Sequence, residues 1–362
     1  MLSGLRTTVQ RVGDDAPAAQ QGRAHDVMAV GSAIVDVLAE TDDDFVARLG
    51  LVKGTMALID IAAAERLYEA MGPAVEMSGG SAANTVAGVA SLGGSAAFVG
   101  RVRDDQLGAV FSHDLRAAGV HFATPPATSG PPTARSLILV TPDGERTMNT
   151  YLGAAACLEP EDVDPSVLTA SRIAYLEGYL WDPPQAKEAL RRTVAVARSA
   201  GVEVALTLSD PFCVERHRDE FLELIEGGVG VVFANDVELT SLFEVDGLDE
   251  ALELVAARCS VAAVTRGALG SVAAAGREVT AVAAHPVERV VDTTGAGDLY
   301  AAGFLFGLAR GLGLERCARL GGLAAAEVIS HFGARPWVSL SRLAAEAGLL
   351  GPEGGRAAAT GG

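Results

Sequence analysis

Residues 290–298 read VVDTTGAGD, and residues 299–308 continue as LYAAGFLFGL. This pattern predicts the end of a strand, a tight turn of small residues and an amphipathic helix that starts near Gly295. Glycine allows a backbone to come close to an anion, and the first N–H groups of a helix point toward it with positive potential. The stretch therefore predicts a phosphate site at the start of a helix.

Asp298 lies one turn into this predicted helix, beside the place where phosphate would bind. A carboxylate next to a phosphate is electrostatically unfavourable unless it has a task, and accepting a proton from an attacking hydroxyl is such a task. The alternative is an aspartate that only interacts with the helix dipole. The four residues GAGD taken alone leave both interpretations open.

Around this stretch, short apolar runs alternate with longer amphipathic segments. The ordered chain is expected to begin near Asp26 with the β-rich run VMAVGSAIVDVLA. Near-continuous apolar strands separated by helices predict a doubly wound, mostly parallel α/β sheet covered on both faces. The predicted strands are 97–102, 172–179, 202–209, 229–234 and 261–265, and the predicted helices include 106–118, 184–200 and 248–259.

Two stretches break this alternation, TMALID over 55–60 and ARSLILVTPDGERTMNTY over 134–151. Both are predicted to form antiparallel strands, and the second is a hairpin that turns at Pro142-Asp143-Gly144. We expect them to build a small β-sheet lid. The predicted organisation is a disordered tail over 1–25, one domain over 26–349 with lid segments at about 38–60 and 121–151, and a disordered tail over 350–362.

Composition restricts the kind of partner. The formal net charge is −18, and no run of lysine and arginine offsets it, so a small molecule is expected rather than a nucleic acid. Four widely spaced cysteines without a C-x-x-C pair predict neither a disulfide framework nor a zinc ribbon, and a reducing cytoplasm is the expected location. No apolar stretch reaches membrane-spanning length, so no membrane association is predicted.

The motif VDTTGAGDLYAAGF (291–304) resembles the C-terminal signature of the ribokinase-like (PfkB) carbohydrate and nucleoside kinases. The resemblance extends from Gly31 to about Pro336. It implies the ribokinase-like fold, ATP as the phosphoryl donor with Mg²⁺, and Asp298 as the catalytic base. It also implies that the backbone of Gly295, Ala296 and Gly297 forms the anion hole for the phosphoryl group in transit.

The resemblance implies further nucleotide and metal contacts. NDVE (235–238) is similar to the N-x-x-E motif of the family, which organises Mg²⁺ and phosphate through water, although Asn235 and Glu238 also fit a helix capping box. Arg146 on the hairpin either closes over the phosphates or is simply solvated. ATP contacts are further implied at Thr265, Gly267 and Gly270, and a monovalent cation such as K⁺ at Asp292 and Thr294.

On the acceptor side, GGSAANT (79–85) is similar to the N-terminal signature of the family. By this likeness Gly79 and Gly80 border the substrate and allow the lid to bend, and Asn84 helps to hold sugar hydroxyls. Asp36 matches the carboxylate that accepts two vicinal hydroxyls. Ser32 departs from the pattern, because nucleoside kinases of the family often have asparagine there.

The segment LTLSDPF (206–212) resembles adenosine kinases within this family, which implies that Phe212 stacks on a purine base; a core phenylalanine is the alternative. Met56 and Leu58 could offer an apolar surface to the base. We therefore expect phosphorylation of the 5′-hydroxyl of a nucleoside, adenosine first, with a sugar such as ribose or fructose as the alternative. A non-catalytic binding protein and either a monomer or a homodimer remain open.

Other nucleotide-binding classes fail on specific residues. The two lysines, Lys53 and Lys187, do not follow a glycine, which excludes the G-x-x-x-x-G-K-[ST] loop of P-loop kinases. A dinucleotide-dependent oxidoreductase would have G-x-G-x-x-G directly after its first strand. The corresponding stretch here is GSAIVD (31–36), which does not match.

Overall fold

The protein folds into two β-sheets, and helices cover both faces of the larger one. The structure is a computed structural model that describes residues 22–351. Most of both predicted tails lies outside the described residues. Residues 22–25, however, belong to the fold, because the Arg23 guanidinium donates to the carbonyls of Ala200 and Gly201 at 2.8 and 2.9 Å and the first strand begins at His25.

The strands are β1 (His25–Val30), β2 (Ile34–Glu40), β3 (Met56–Leu58), β4 (Val75–Gly79), β5 (Ala96–Val99), β6 (Val120–Phe122), β7 (Ala134–Val140), β8 (Arg146–Tyr151), β9 (Ser171–Glu177), β10 (Glu203–Thr207), β11 (Val231–Asn235), β12 (Val261–Thr265), β13 (Ser271–Ala275) and β14 (Glu278–Val282). The α-helices are α1 (Asp43–Arg48), α2 (Ile61–Ala70), α3 (Ser81–Ser91), α4 (Gln106–Ala117), α5 (Pro165–Thr169), α6 (Pro184–Ser199), α7 (Pro211–Gly228), α8 (Asp236–Phe243), α9 (Leu248–Ala256), α10 (Ala296–Ala309), α11 (Leu314–Val328) and α12 (Leu340–Glu346). No helix between residues 22 and 351 is both long enough and apolar enough to cross a membrane.

The main sheet has the order β14-β13-β12-β11-β10-β9-β1-β5-β6. The strands from β12 to β6 run parallel, as predicted, so their carboxyl ends meet at one edge. β13 and β14 are antiparallel and were not predicted, which makes the sheet mixed. Alternate residues of β1 explain the two covered faces, because Val27 and Ala29 enter one apolar core while Met28 and Val30 enter the other.

Helix α10 departs from the prediction in two ways. Its side chains from Leu299 to Phe306 are buried on every side, so it is not amphipathic. The reason is a second layer, because α11 packs so closely that a Cβ on Gly303 would lie 2.4 Å from the backbone of Leu320. Residues 283–294, which lead into α10, also contain no strand, so the predicted strand before the turn is wrong.

The small sheet has the order β3-β8-β7-β2-β4. The hairpin of β7 and β8, which turns through Pro142–Gly144, is confirmed. β3 pairs with β8 in parallel, so its predicted antiparallel pairing is wrong. The apolar run 27–39 is not one strand, because the chain leaves the main sheet at 31–33 and continues as β2 of the small sheet.

Candidate active site

The carboxyl edge of the main sheet carries several of the predicted site residues. Asn235 and Thr265 are the last residues of β11 and β12, and Phe212 follows β10; Glu177, which was not predicted, is the last residue of β9. Since parallel strands end at the same edge, residues far apart in sequence share one face of the molecule. The predicted phosphate turn starts α10, which packs against α3 and the same sheet.

The start of α10 has the backbone geometry of an anion site. Gly295 has a φ of +79°, and a Cβ there would lie 2.7 Å from the Cβ of Ala334, so a side chain would be excluded. The Ala296 N–H donates to the carbonyl of Thr293 at 3.2 Å, whereas within residues 22–351 the N–H groups of Gly297 and Asp298 donate to no acceptor. A Cβ on Gly297 would meet open space, so an anion could approach these N–H groups.

Asp298 is held at this helix start by two side chains of α3. The Ser81 hydroxyl donates to its Oδ1 at 2.6 Å, and the Asn84 amide donates to its Oδ2 at 2.9 Å. Burial raises the pKa of Asp298 above its ordinary value, and the two hydrogen bonds oppose that rise. The result is an oriented carboxylate with increased proton affinity, which suits it to accept a proton.

Asn84 contacts Asp298, the predicted base. The family resemblance implied only a contact of Asn84 with sugar hydroxyls. Its side chain is buried, and its Oδ1 has no hydrogen-bond partner within the described residues. An unpaired buried acceptor is costly, and a substrate hydroxyl could satisfy it. Ser81 was not predicted as a site residue, although it lies inside the quoted motif of 79–85.

Asp36 and the paired glycines meet where β2 lies beside β4. A Cβ on Gly79 would lie 2.3 Å from an oxygen of Asp36, and a Cβ on Gly80 would lie 2.2 Å from the carbonyl of Ser32, so both positions exclude larger residues. Burial raises the pKa of Asp36 to about 7, while the charges of Arg335 and Arg146 act in the opposite direction. The negative charges of Asp298 and Asp292 add to this rise in the pKa of Asp36.

Arg335 lies in the candidate site, although the sequence motifs did not predict it as a site residue. Its guanidinium donates to the carbonyl and hydroxyl of Ser78 at 3.2 and 3.1 Å, and to the carbonyl of Ala83 at 2.5 Å. It therefore bridges the two sides of the Gly79-Gly80 pair. Burial lowers the pKa of Arg335 to about 10, and the charges of Asp36 and Asp298 oppose that change. Arg335 lies at the end of the stretch from Gly31 to about Pro336 over which the family resemblance extends.

Arg146 is buried and forms an ion pair with Asp292, so the alternative of a solvated arginine is wrong. It also donates to the Thr294 hydroxyl at 3.4 Å, which connects the small sheet to the phosphate turn. The Asp292 oxygens accept the N–H groups of Thr294 and Gly333, both at 3.0 Å. Arg146 already supplies a positive charge to Asp292, and the implied monovalent cation at Asp292 and Thr294 stays a prediction.

Asn235 and Glu238 form a capping box at the start of α8. The Asn235 side chain accepts the Glu238 N–H at 2.7 Å, and the Glu238 carboxylate accepts the Asn235 N–H at 3.1 Å and its amide at 2.7 Å. Burial raises the pKa of Glu238 to about 7. With both oxygens engaged, this carboxylate fits Mg²⁺ through water better than by direct ligation. Across residues 22–351, no cluster of three or more histidine, cysteine or acidic residues forms a metal site.

Thr265, Gly267 and Gly270 border the loop between β12 and β13, next to Asn235. Thr265 is the register partner of Asn235 in the neighbouring strand. Gly267 and Gly270 have φ values of +53° and +88°, and a Cβ on Gly270 would lie 2.1 Å from the carbonyl of Val282. The Leu269 side chain between them is exposed, so the loop has a free surface that a nucleotide could cover.

Phe212 lies in the first turn of α7, which Asp210 caps by accepting the Cys213 N–H at 2.7 Å. The ring is 70% exposed, so the alternative of a core phenylalanine is wrong. Met56 and Leu58 on β3 are exposed as well, at 45% and 56%. Large apolar side chains in these positions lose contact with water when a flat, apolar ring covers them.

Residues 25–339 match the family model described as pfkB family carbohydrate kinase. The adenosine kinase of Sinorhizobium meliloti is 57% identical, with a TM-score of 0.84 over 90% of this chain and 99% of that chain. A probable sugar kinase protein from Rhizobium etli CFN 42 is 53% identical, with a TM-score of 0.86 over 91% of this chain and all of that chain.

A more distant relative is named as a kinase of another substrate. The 5-dehydro-2-deoxygluconokinase of Shouchella clausii (strain KSM-K16) is 26% identical over 336 residues, which span 90% of this chain and 96% of the relative. Nucleoside and sugar kinases therefore both occur among the proteins that this chain resembles.

Proposed function

Because the chain belongs to the pfkB family of carbohydrate kinases, we propose that it transfers the γ-phosphoryl group of ATP to the 5′-hydroxyl of a nucleoside, adenosine first. Family membership makes it a kinase and implies ATP. The choice of acceptor and the roles of individual residues form the proposal. One observation carries it: Asp298 is oriented by Ser81 and Asn84 beside the N–H groups of Gly297 and Asp298, which have no acceptor in the part of the chain that the structure describes.

The proposed chemistry uses the two features of that helix start together. Asp298 takes the proton from the attacking hydroxyl, and its raised proton affinity favours this transfer. The free N–H groups of Gly297 and Asp298 stabilise the charge on the migrating phosphoryl group. Within the predicted anion hole of 295–297, the Ala296 N–H already donates to the carbonyl of Thr293. ATP with Mg²⁺ supplies that group when bound. Glu238 would hold the metal through water, and Asn235, Thr265, Gly267 and Gly270 would lie beside the nucleotide.

Two further residues complete the proposed site. Asp36 accepts the two vicinal hydroxyls of the ribose, because a carboxylate can accept two O–H donors together. Arg146 already contacts the phosphate turn through Thr294, and we propose that it adds positive charge next to the phosphates. The chain between β4 and α3 at Gly79 and Gly80 borders the acceptor.

The exposed ring of Phe212 supports a nucleoside over a free sugar. A phenylalanine that is 70% exposed at the carboxyl edge of the sheet offers a stacking surface that a free sugar does not need. The exposed Met56 and Leu58 offer a second apolar surface. The identity of 57% with an adenosine kinase agrees with this choice.

A sugar such as ribose or fructose is the second candidate, and one position favours it. Ser32 stands where nucleoside kinases of the family often have asparagine; it is buried, and its carbonyl lies next to Gly80. The polar contact that asparagine would make with a nucleoside is therefore weakened. The identity of 53% with a probable sugar kinase is in keeping with that alternative.

Release of ADP, measured with adenosine, other nucleosides, ribose and fructose as acceptors, distinguishes the candidates. We expect the highest kcat/KM with adenosine. A preference for a free sugar would contradict the nucleoside assignment, and no ADP release with any acceptor would contradict the proposed reaction as a whole.

The Phe212→Ala variant tests the stacking surface within the same assay. Base stacking on an aromatic ring contributes about 1–3 kcal/mol, so we expect KM for adenosine to rise by roughly tenfold or more while the KM for MgATP stays the same. Val279→Ala, which truncates an exposed side chain of β14, is the matched control. An unchanged KM for adenosine in Phe212→Ala would place the base elsewhere.

A further inference from the structure

Glu177 is a buried acid that the proposed chemistry does not use. It is the last residue of β9, only 1% exposed, and no lysine or arginine within residues 22–351 forms an ion pair with it. Its two oxygens accept the N–H of Ser32, each at 3.3 Å, and one of them accepts the N–H of Ala82 at 3.0 Å. Burial raises the pKa of Glu177 to about 7, and these hydrogen bonds oppose the rise.

The two N–H groups belong to two different connections between the sheets. Ser32 lies in the segment 31–33 that leads from β1 of the main sheet to β2 of the small sheet. Ala82 lies in the first turn of α3, directly after β4 of the small sheet. The connections are in close contact, because a Cβ on Gly80 would lie 2.2 Å from the carbonyl of Ser32. Glu177 thus ties both of them to the main sheet.

Glu177 also replaces a missing helix cap. The N-cap position of α3 is Gly80, which has no side chain to accept the first N–H groups of the helix. The Glu177 carboxylate accepts one of them from another part of the chain, at a site where the helix dipole favours negative charge. The first turn of α3 is the one that presents Ser81 and Asn84 to Asp298.

We infer that Glu177 is a positioning residue for the phosphoryl transfer: by capping α3 and holding Ser32, it fixes the side chains that orient Asp298. This inference rests on the proposed function, because it assigns Glu177 to the reaction in which Asp298 is the base. The effect of Glu177 is transmitted through Ser81 and Asn84, since its oxygens accept the backbone N–H groups of Ser32 and Ala82 and, within residues 22–351, make no hydrogen bond to Asp298.

A neutral side chain cannot reproduce this arrangement. In Glu177→Gln the shape is kept, but the negative charge is lost and one of the two oxygens that the Ser32 N–H approaches becomes an NH₂ group, which repels that N–H and weakens its contact. The first turn of α3 then loses its fixed position. Displacement of catalytic groups by about 1 Å can reduce turnover by roughly a hundredfold.

The test compares Glu177→Gln with Glu203→Gln in the full chain, with adenosine and MgATP as substrates. Glu203 is another acid of the main sheet whose pKa is raised by burial, but it is only partly buried and begins β10 at the opposite edge. We expect kcat to fall by roughly ten- to a hundredfold in Glu177→Gln, with a smaller change in KM for adenosine, and to stay at the wild-type value in Glu203→Gln. An equal loss in both variants, or none in Glu177→Gln, would overturn the inference.

A double-mutant cycle separates positioning from general stability. If Glu177 acts through Ser81, the loss of kcat in Glu177→Gln/Ser81→Ala is smaller than the product of the two single losses. Losses that multiply would mean that the two residues act independently, against the inference. If Glu177→Gln does not fold, the cycle is made with Glu177→Asp, which keeps the charge but withdraws it by one methylene.

Amide hydrogen exchange gives a readout that needs no turnover. We expect the N–H groups of Ser32 and Ala82 to exchange faster in Glu177→Gln than in the wild type and in Glu203→Gln. Unchanged exchange would overturn the inference even if the kinase assignment holds. If the wild type releases no ADP with any acceptor, the proposed function fails, while the exchange experiment still reports whether Glu177 holds these two connections.

Discussion

Asp298 and Glu238 are two acids in the same functional region of the molecule, but the residues that hold them come from different distances along the chain. Asp298 is held by Ser81 and Asn84, more than 200 positions away, and lies close to the charge of Arg335. Glu238 is held by Asn235, three positions before it. The acceptor side is therefore assembled by tertiary contacts, and the proposed nucleotide side by the local geometry of one helix start.

This difference has a consequence for how each region can be altered. The position of a side chain on the acceptor side depends on β4, α3, α10 and the 329–335 segment together. One substitution there therefore displaces several groups. The proposed nucleotide side consists of a capping box and a loop shaped by glycine, so a substitution there stays local. We expect the effects of mutations to be larger and less additive around Asp298 than around Glu238.

The largest expected effect is that of Asp298→Asn. Removing a general base reduces turnover by roughly 10²–10⁴-fold, while binding of ADP stays close to that of the wild type. Steady-state kinetics and isothermal titration calorimetry with ADP measure the two quantities. Glu238→Gln, analysed in parallel, should reduce kcat far less. Turnover retained in Asp298→Asn would remove this residue from the role of base.

Arg146→Met probes the connection between the small sheet and the phosphate turn. It leaves the buried Asp292 without its cation, and breaking a buried pair in this way costs about 3–5 kcal/mol. Urea unfolding measures the free energy of unfolding. The double variant Arg146→Met/Asp292→Asn should recover most of the loss, because no unpaired charge remains. A single variant as stable as the wild type would show that the pair does not hold the turn.

The smallest expected effect is the contribution of Glu238 to the pH dependence of the free energy of unfolding. Its folded-state pKa of about 7 is above the ordinary value of 4.5, so between these values the native state binds more protons than the unfolded state. The free energy of unfolding therefore falls as pH rises through this window, by at most about 1.4 kcal/mol per pH unit for this group. Glu238→Gln does not titrate, so its stability relative to the wild type should increase from about pH 5 to about pH 7.

Urea unfolding at the two pH values measures this difference, and Glu253→Gln on the exposed face of α9 is the control. The loss of the Asn235 hydrogen bonds lowers stability at both pH values and cancels in the comparison. If the difference between Glu238→Gln and the wild type is the same at both pH values, the carboxyl does not titrate in this window.

Sequence patterns predicted best where a local rule applies. The parallel strands and the hairpin over 134–151 were confirmed, because apolar periodicity and a Pro-Asp-Gly turn are local signals. The sequence placed the start of the lid near residue 38, whereas the small sheet begins at Ile34, because nothing in Gly31-Ser-Ala33 shows that the chain changes sheets there. α10 was misread as amphipathic, because nothing in its sequence shows that α11 covers its outer face.

Sequence alone was sufficient for the tight turn at the start of α10, for Asp298 in its first turn and for the capping box of Asn235 and Glu238, since each depends on residues within a few positions of one another. Only the tertiary structure placed Ser81 and Asn84 on Asp298, paired Arg146 with Asp292 and buried Glu177 under two chain connections. The physical reason is that a buried charge is stabilised by whichever donors the packed helices and sheets bring to it, and those donors lie between 95 and 217 positions away in this chain.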